Sequence, residues 1–219
     1  FVAMMNDAPE ELSLFIRINR EYNGQPGIRI YGIFLGEVNE GLGYFQEIQT
    51  WTKVLFSDVR VSSYYEAQQI NTSSISKNVS FHWKSAMIKK ELDADFCQQL
   101  VECFYNCPNE YGRLNLDPLG GAIARMPRDK SAFSHRDMKY ILSIIGVWND
   151  PDDHLKYKNW VVSTADKLKD YCHLTSRYQN YVDPESSAAD YYGANLLQLQ
   201  QLKREWDPHN LFFGLLTHT

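Results

Sequence analysis

The stretch "DMKYILSIIGVW", residues 137–148, offers little to water on either side. Read as a strand, its successive residues point to opposite faces of a sheet. Met138, Tyr140, Leu142, Ile144 and Trp148, with Gly146 among them, then share one face. Lys139, Ile141, Ser143, Ile145 and Val147 share the other. The first is a core face. The second is apolar with a serine in its middle, where a solvated face would be more polar. Two arrangements suit such a strand: a sheet between two layers, or a sheet roofed on one face by a flat ligand or another domain. Periodicity alone leaves both open.

The rest of the chain supplies partners for it. Residues 12–20, "LSLFIRINR", and 27–36, "GIRIYGIFLG", are rich in β-branched and aromatic residues, and "NGQPG" supplies the turn between them. Residues 53–61 and 78–88 are further strand candidates. So are "GRLNLDP" and "GGAIARM", at 112–118 and 120–126. Helical spacing of apolar residues appears over 37–51, and over 93–107 with Phe96, Leu100, Cys103, Phe104 and Cys107 in one stripe. Residues 152–172 and 187–206 also read as helices. In the last one Tyr192, Leu196, Leu199, Leu202 and Trp206 recur at helical spacing. Ser187 with Asp190 caps its start and Asp207-Pro208 ends it. This stripe predicts a helix docked on the sheet layer, with Leu199 and Leu202 buried. Strand pairs interrupted by helices predict an α+β fold: an antiparallel β-sheet with helices packed mainly on one face.

Several function classes are excluded. A net charge of −5 gives no electrostatic case for nucleic acid or an anionic membrane. No apolar run reaches the ~20 residues of a membrane span. The four cysteines, Cys97, Cys103, Cys107 and Cys172, lack zinc spacing and read as buried or inert thiols. The scattered histidines give no metal site. "HRDMKYIL" opens like a kinase catalytic loop, but Leu142 stands where that loop needs Asn, and no phosphate loop precedes it. GxGxxG, GxSxG, Walker and HExxH patterns are absent. The start at Phe1 is neither an initiator methionine nor a signal peptide. The numbering reads as beginning within a longer protein, with a cytoplasmic location favoured over secretion.

Residues 177–196, "RYQNYVDPESSAADYYGANL", gather tyrosines and asparagines around a turn into a helix. They follow "LGGAIARMPRDKSAFSHRDMKYILSIIGVWNDP" and precede "LQLQQLKREWDPHNLF". This order resembles the C-terminal half of berberine bridge enzyme-like flavin oxidoreductases, in the vanillyl-alcohol oxidase superfamily. The shared pattern is GG, Phe-x-His-Arg, Trp-x-Asp-Pro, Tyr-x-Asn-Tyr-x-Asp, Tyr-Tyr-Gly-x-Asn and Asp-Pro-x-Asn-x-Phe. Gln198 departs from the usual Arg, and the tail "FGLLTHT" from the usual ending. The resemblance implies a substrate-binding domain over 1–176 and a closing C-terminal segment over 177–219. The flavin-binding domain, with its Gly-rich loop and His/Cys attachment points, has no counterpart in this sequence.

What the resemblance implies about the site follows. Tyr178, Asn180 and Tyr181 would lie at the substrate side of the isoalloxazine ring. Tyr192, Gly193 and Asn195 would lie near the ribityl chain and ring edge, with Asn180 also touching the cofactor. Tyr181, or Tyr178, would take the hydroxyl proton as hydride leaves for the flavin, its pKa lowered by a neighbouring charge. Ile141, Ser143 and Ile145 would face the substrate. His135, Arg136 and Tyr191 read as structural. The implied parent is a FAD-dependent oxidoreductase acting on an alcohol, sugar or natural product. This chain by itself is expected to be inactive and to retain no FAD. The alternative is a non-catalytic interaction module, or remnant, that pairs with a separate flavin domain. Partners are then a FAD-binding domain in cis or trans and a small-molecule substrate. A bare sheet face at Ile141 and Ile145 would also favour a homo-oligomer.

Overall fold

The computed structural model describes residues 1–22, 24–70, 79–108, 111–173, 175–183 and 185–216. After a short helix α1 (Val2–Asp7), strands β1 (Leu12–Tyr22) and β2 (Gln25–Phe34) form a hairpin. Helices α2 (Val38–Thr50) and α3 (Tyr64–Gln68) lead to β3 (Ser80–Ile88) and α4 (Ala94–Tyr105). Then come β4 (Arg113–Pro118), α5 (Gly121–Arg125), β5 (Tyr140–Trp148), α6 (His154–Lys167) and β6 (Cys172–His173). The chain closes with α7 (Ala188–Tyr192) and α8 (Leu196–Trp206). The strands make one antiparallel sheet in the order β2-β1-β4-β5-β3-β6. The α+β expectation holds.

Strand β5 is the keel. All nine of its residues are buried. It pairs with β3 over its whole length, from Ser80–Trp148 to Ile88–Tyr140, and with β4 on the other side. Its helix-facing residues Tyr140, Leu142 and Ile144 join Ile88, Leu114 and Leu116 from neighbouring strands. Phe96, Leu100 and Phe104 of α4 and Trp160 and Val161 of α6 complete this core. The Trp160 indole donates to the Cys103 carbonyl at 2.9 Å and ties α6 to α4. Gly146 lets α6 close in, since a Cβ there would meet Val161 and Tyr157 at 3.1 and 3.3 Å.

Four expectations are corrected by the structure. Residues 53–61 form no strand. Among the described residues no strand pairs with them to satisfy a ladder, and Leu55, Phe56 and Val61 stand exposed. Residues 120–126 contain a helical turn rather than a strand: Gly121 takes φ 52° and the Ala-Ile-Ala that follows is helix-forming. Met138 precedes the strand and packs with Met87 and Phe133 on the face opposite the helices. The helix expected over 187–206 starts with the anticipated Ser187–Asp190 capping box, but it breaks at Gly193, φ 49°, into α7, a 3-10 turn and α8. Residue 78 of the 78–88 strand candidate and Pro184 lie outside the described residues.

The α8 stripe also behaves otherwise than its spacing predicts. No residue of α8 is buried; Leu202 is 42% and Trp206 77% exposed. The helix packs mainly on α7 and the 3-10 turn, which leaves Leu199 half-buried and Leu202 exposed. Leu142, by contrast, is fully enclosed. Leu142→Ala is expected to lower the unfolding free energy by about 3 kcal/mol, the range for a leucine cavity that cannot collapse. Urea denaturation followed by circular dichroism checks this; a loss below about 1 kcal/mol would mean the helix–sheet core is not the stabilising unit.

Candidate functional site

The second face of the sheet is built from residues that sit opposite one another in register, which places their side chains on the same side. β5 contributes Ile141, Ser143 and Ile145. Opposite them on β3 stand Met87, Ser85 and Trp83, and on β4 Asp117, Asn115 and Arg113. Arg17 of β1 faces Asn115, and Arg29 of β2 faces Arg17. This face is not bare. Ile141, Ser143 and Ile145 are 4%, 0% and 5% exposed. The expectation of an uncovered apolar face at Ile141 and Ile145 is corrected, and with it the reason to expect self-association there.

The cover is an aromatic one. Residues 176–183 run along β3: the Met87 amide donates to the Ser176 carbonyl, and the Arg177 guanidinium to the Ser85 carbonyl. This lays the Tyr181 ring on Trp83, centroids 4.1 Å apart. Tyr178 meets Tyr181 edge-on at 5.0 Å, and Phe133 meets Tyr178 at 6.1 Å. Phe133 then meets His135 at 6.0 Å, and His135 lies under Gly193. Trp83, Tyr181, Tyr178, Phe133 and His135 thus form one continuous series. It links the two groups of residues that the resemblance singles out.

The turn that aims Tyr181 is pinned from behind. Asp183 is fully buried and accepts from Lys84 at 2.7 Å and from the Glu185 amide at 3.0 Å. The Tyr191 hydroxyl receives the Asp183 amide proton at 2.7 Å. Burial alone would raise the Asp183 carboxyl. Lys84 and the Glu185 amide outweigh it and hold the group below the ordinary carboxylate range. Its contribution to stability is therefore present above that range and lost as acid titrates it. Tyr191, fully buried, is structural as its position suggested.

The other singled-out residues divide. Tyr178 and Tyr181 are half-buried, and Asn180 is exposed with its amide on the Tyr178 hydroxyl at 2.9 Å. Asn195 is buried and its amide donates to the Arg128 and Ser131 carbonyls at 2.6 and 2.9 Å. Tyr192 is half-buried, its hydroxyl pushed up by burial. Gly193 has positive φ, and a Cβ there would reach Ser134 Oγ at 2.8 Å, so the close approach requires glycine. His135 Nε2 donates to the Asp190 carbonyl, 3.1 Å away. Arg136 binds the Phe133 and Ile123 carbonyls. Both hold the loop, as expected of structural residues. Of the four thiols, Cys103 and Cys107 are buried, Cys172 is half-buried and Cys97 is exposed; burial pushes Cys172 up to about 12 and raises Cys103 and Cys97. Among the described residues no His/Cys/Asp/Glu group could hold a metal, and no helix is long and apolar enough to cross a membrane.

One condition attached to the tyrosine base fails. The Tyr181 phenol is raised to about 12, by burial first and then by Asp117, Tyr178 and Tyr31. No lowering charge reaches it. The group that titrates near neutrality is its neighbour Asp117, raised to about 6 by burial against the opposing pull of Arg17. Nothing local in the sequence marks Asp117, Trp83, Asn115, Arg17 or Arg29, because a polar residue alternating with leucine or isoleucine is what any half-solvated strand shows. Ser143 Oγ and Trp83 Nε1 are buried on this face with no partner among the described residues.

Comparison with known proteins now bears on the site. The family described as berberine and berberine-like matches residues 177–213. The chain carries a berberine-like segment. An FAD-linked oxidoreductase of Dictyostelium discoideum is 26% identical over 96% of this chain and 45% of its own length. A carbohydrate oxidase of Microdochium nivale is 24% identical over 94% of this chain and 45% of its own. Berberine bridge enzyme from Eschscholzia californica superposes with a TM-score of 0.81 at 17% identity, over 99% of this chain and 50% of that one. The chain spans about half the length of the curated relatives it matches. The berberine-like segment contains the turn that lays Tyr181 over the sheet, and its Asp183 and Tyr191 are what pin that turn.

The Asp117 environment has a measurable signature. Its folded-state pKa lies above its unfolded value, so the folded chain gains stability from this group as pH falls through about 6. Asp117→Asn removes the buried charge. It should stabilise the chain at pH 8, by at most about 3 kcal/mol, and change little at pH 4. Denaturation at both pH values checks this; equal effects at the two would place Asp117 in water.

Proposed function

We propose that this chain is the substrate-binding domain, residues 1–176, and the closing segment, residues 177–219, of a FAD-dependent oxidoreductase that oxidises an alcohol, sugar or natural-product hydroxyl. The observation that carries the reading is the Tyr181 ring stacked on Trp83 above the buried Ser143 face, with Asp117 acting on it. The relatives' FAD linkage and the carbohydrate oxidase among them support it. The described residues offer one side of a flat-ring site but no Gly-rich loop for a pyrophosphate, so FAD would be held mainly by a FAD-binding domain in cis or trans. This chain alone would not retain it. Tyr178, Asn180 and Tyr181 would border the ring, with Tyr192, Gly193 and Asn195 shaping the loop behind it. Exposed Leu197, Trp206, Phe212 and Phe213 supply apolar surface for that second domain.

When bound, the flavin accepts the hydride. This chain's task is the proton. The Trp83–Tyr181 stack would border the substrate, above the enclosed face that holds Ser143. Tyr181 takes the substrate's hydroxyl proton only if its own proton has somewhere to go, since its pKa is high. Asp117, ionised above about pH 6, is the acceptor. Tyr181 thus relays a proton to Asp117 rather than acting as a preformed phenolate. The pair supports general-base catalysis of the usual 10²–10⁴-fold size.

The test needs the complete protein with its flavin-binding half. Tyr181→Phe should slow flavin reduction by about 100-fold or more without changing the flavin spectrum. In the parent, reduction should rise with pH through about 6, and Asp117→Asn should remove that rise. A Tyr181→Phe protein reducing flavin at the parent rate would overturn the assignment.

A further inference from the structure

The aromatic series on the second face is chemically of two kinds. Trp83, Tyr181 and Tyr178 carry rings that a one-electron oxidant can oxidise. Phe133, next in line, does not give up an electron so readily, so the oxidisable part ends at Tyr178. The Tyr181 ring lies on Trp83 at 4.1 Å with 29° between the planes. Tyr178 meets Tyr181 edge-on at 5.0 Å. At such separations neighbouring π-systems are in contact, and an electron passes between them without a bridge. Trp148 also stacks on a tyrosine, Tyr157, at 5.6 Å, but that pair is 5% and 2% exposed and closed off from water. The Trp83 series is half-buried throughout.

The surroundings of each ring suit one step of electron movement. Trp83 Nε1 is buried with no partner among the described residues. An indole that loses an electron becomes acidic at that nitrogen. With no acceptor there, the radical cation keeps its proton and stays a strong oxidant of a phenol. Tyr181 rests as a neutral phenol, raised to about 12 by burial first and then by Asp117. A negative charge near a ring favours loss of an electron from it, and a carboxylate is also a base for the proton that an oxidised phenol releases. At the far end, the Tyr178 hydroxyl accepts from the Asn180 amide at 2.9 Å, and Asn180 is exposed. This end of the series meets water.

We propose that Trp83, Tyr181 and Tyr178 form a one-electron relay that carries oxidising equivalents from the ring-binding face to the surface of the chain. The proposal rests on the reading of this face as a flavin site only for its natural oxidant, a photoexcited oxidised flavin. Trp83 gives one electron to the oxidant and becomes a radical cation. Tyr181 gives an electron to Trp83 and its phenolic proton to the Asp117 carboxylate. Tyr178 then gives an electron to the Tyr181 radical, which recovers its proton from Asp117, while Tyr178 releases its own proton to water. A thiol in solution gives a hydrogen atom to the Tyr178 radical and leaves as a thiyl radical. Trp83, Tyr181, Tyr178 and Asp117 all end as they began. The side chains that border the ring are thereby spared irreversible oxidation.

The test uses this chain and azide radicals made by pulse radiolysis, which take one electron from tryptophan. Indolyl absorbance should give way to tyrosyl absorbance at a rate independent of protein concentration. A nitrone spin trap should leave its adduct on Tyr178, located by peptide mass spectrometry. Trp83→Phe and Tyr181→Phe should each lose most of that adduct, with circular dichroism confirming the fold. Trp206→Phe removes an exposed indole elsewhere and should leave the Tyr178 adduct unchanged. Asp117→Asn should slow the growth of tyrosyl absorbance. Tyr178 adducts that survive both Trp83→Phe and Tyr181→Phe, or that fall as far with Trp206→Phe, overturn the relay. So does tyrosyl growth that Asp117→Asn leaves at the parent rate. These readouts fail separately from the catalytic reading: they involve no flavin reduction, and Tyr181→Phe reducing flavin at the parent rate would sink the proton role of Tyr181 while leaving the Tyr178 adducts as evidence for the relay.

Discussion

Everything in this chain is arranged around a strand that cannot face water on either side. β5 is buried over all nine of its residues. Its pairing with β3 in an unbroken register and with β4 on the other edge satisfies the backbone. The helices α4 and α6 satisfy one side-chain face. The other face holds Ile141, Ser143 and Ile145. It has to be covered by something other than a second helical layer, because the described helices of the core pack on the first face. That demand is met by long side chains from neighbouring strands and by the aromatic turn at 176–183.

Covering a sheet face with rings and guanidiniums differs from covering it with leucines. Rings and polar heads desolvate whatever ionisable groups lie beneath. Asp117 is raised to about 6 and Tyr181 to about 12 for that reason. Proton-transfer chemistry depends on such values: a carboxylate that changes charge near neutrality beside a phenol that does not. The Lys84–Asp183 pair sits at the back of the same turn and keeps it in place. It is buried and hydrogen-bonded on both carboxylate oxygens, which is what makes an interior charge tolerable.

Much of the fold was legible because the relevant signals are local. The apolar stripe of α4, the alternation in β1 and β2, and the Ser187–Asp190 cap each act through neighbours a few residues away, and each appears in the structure. What failed was non-local. Residues 53–61 have strand composition, but among the described residues no strand pairs with them. The α8 stripe has helical spacing, yet the helix packs mainly on α7 and the 3-10 turn, and Leu202 and Trp206 remain exposed. Met138 continues the alternation of β5 on paper, but the strand begins two residues later and the side chain turns to the other face. For the site, the tyrosines and asparagines of 177–196 drew attention by their density. Asp117, Trp83 and the two arginines did not.

By itself the sequence determined that one strand must be buried on both faces, that helices cover one side, and that a tyrosine-rich turn follows late in the chain. These are consequences of period, propensity and capping, which act over a few residues. Only the tertiary structure decided what covers the second face, and thereby which groups matter chemically. The pairing of β1 with β4, and of β4 with β5, sets Arg17, Asn115 and Ser143 in one row although they are far apart in sequence. The turn at 176–183 lays Tyr181 on Trp83, almost a hundred residues earlier in the chain. Register and burial are properties of the assembled sheet. The pKa values and the polar row exist only once it has closed.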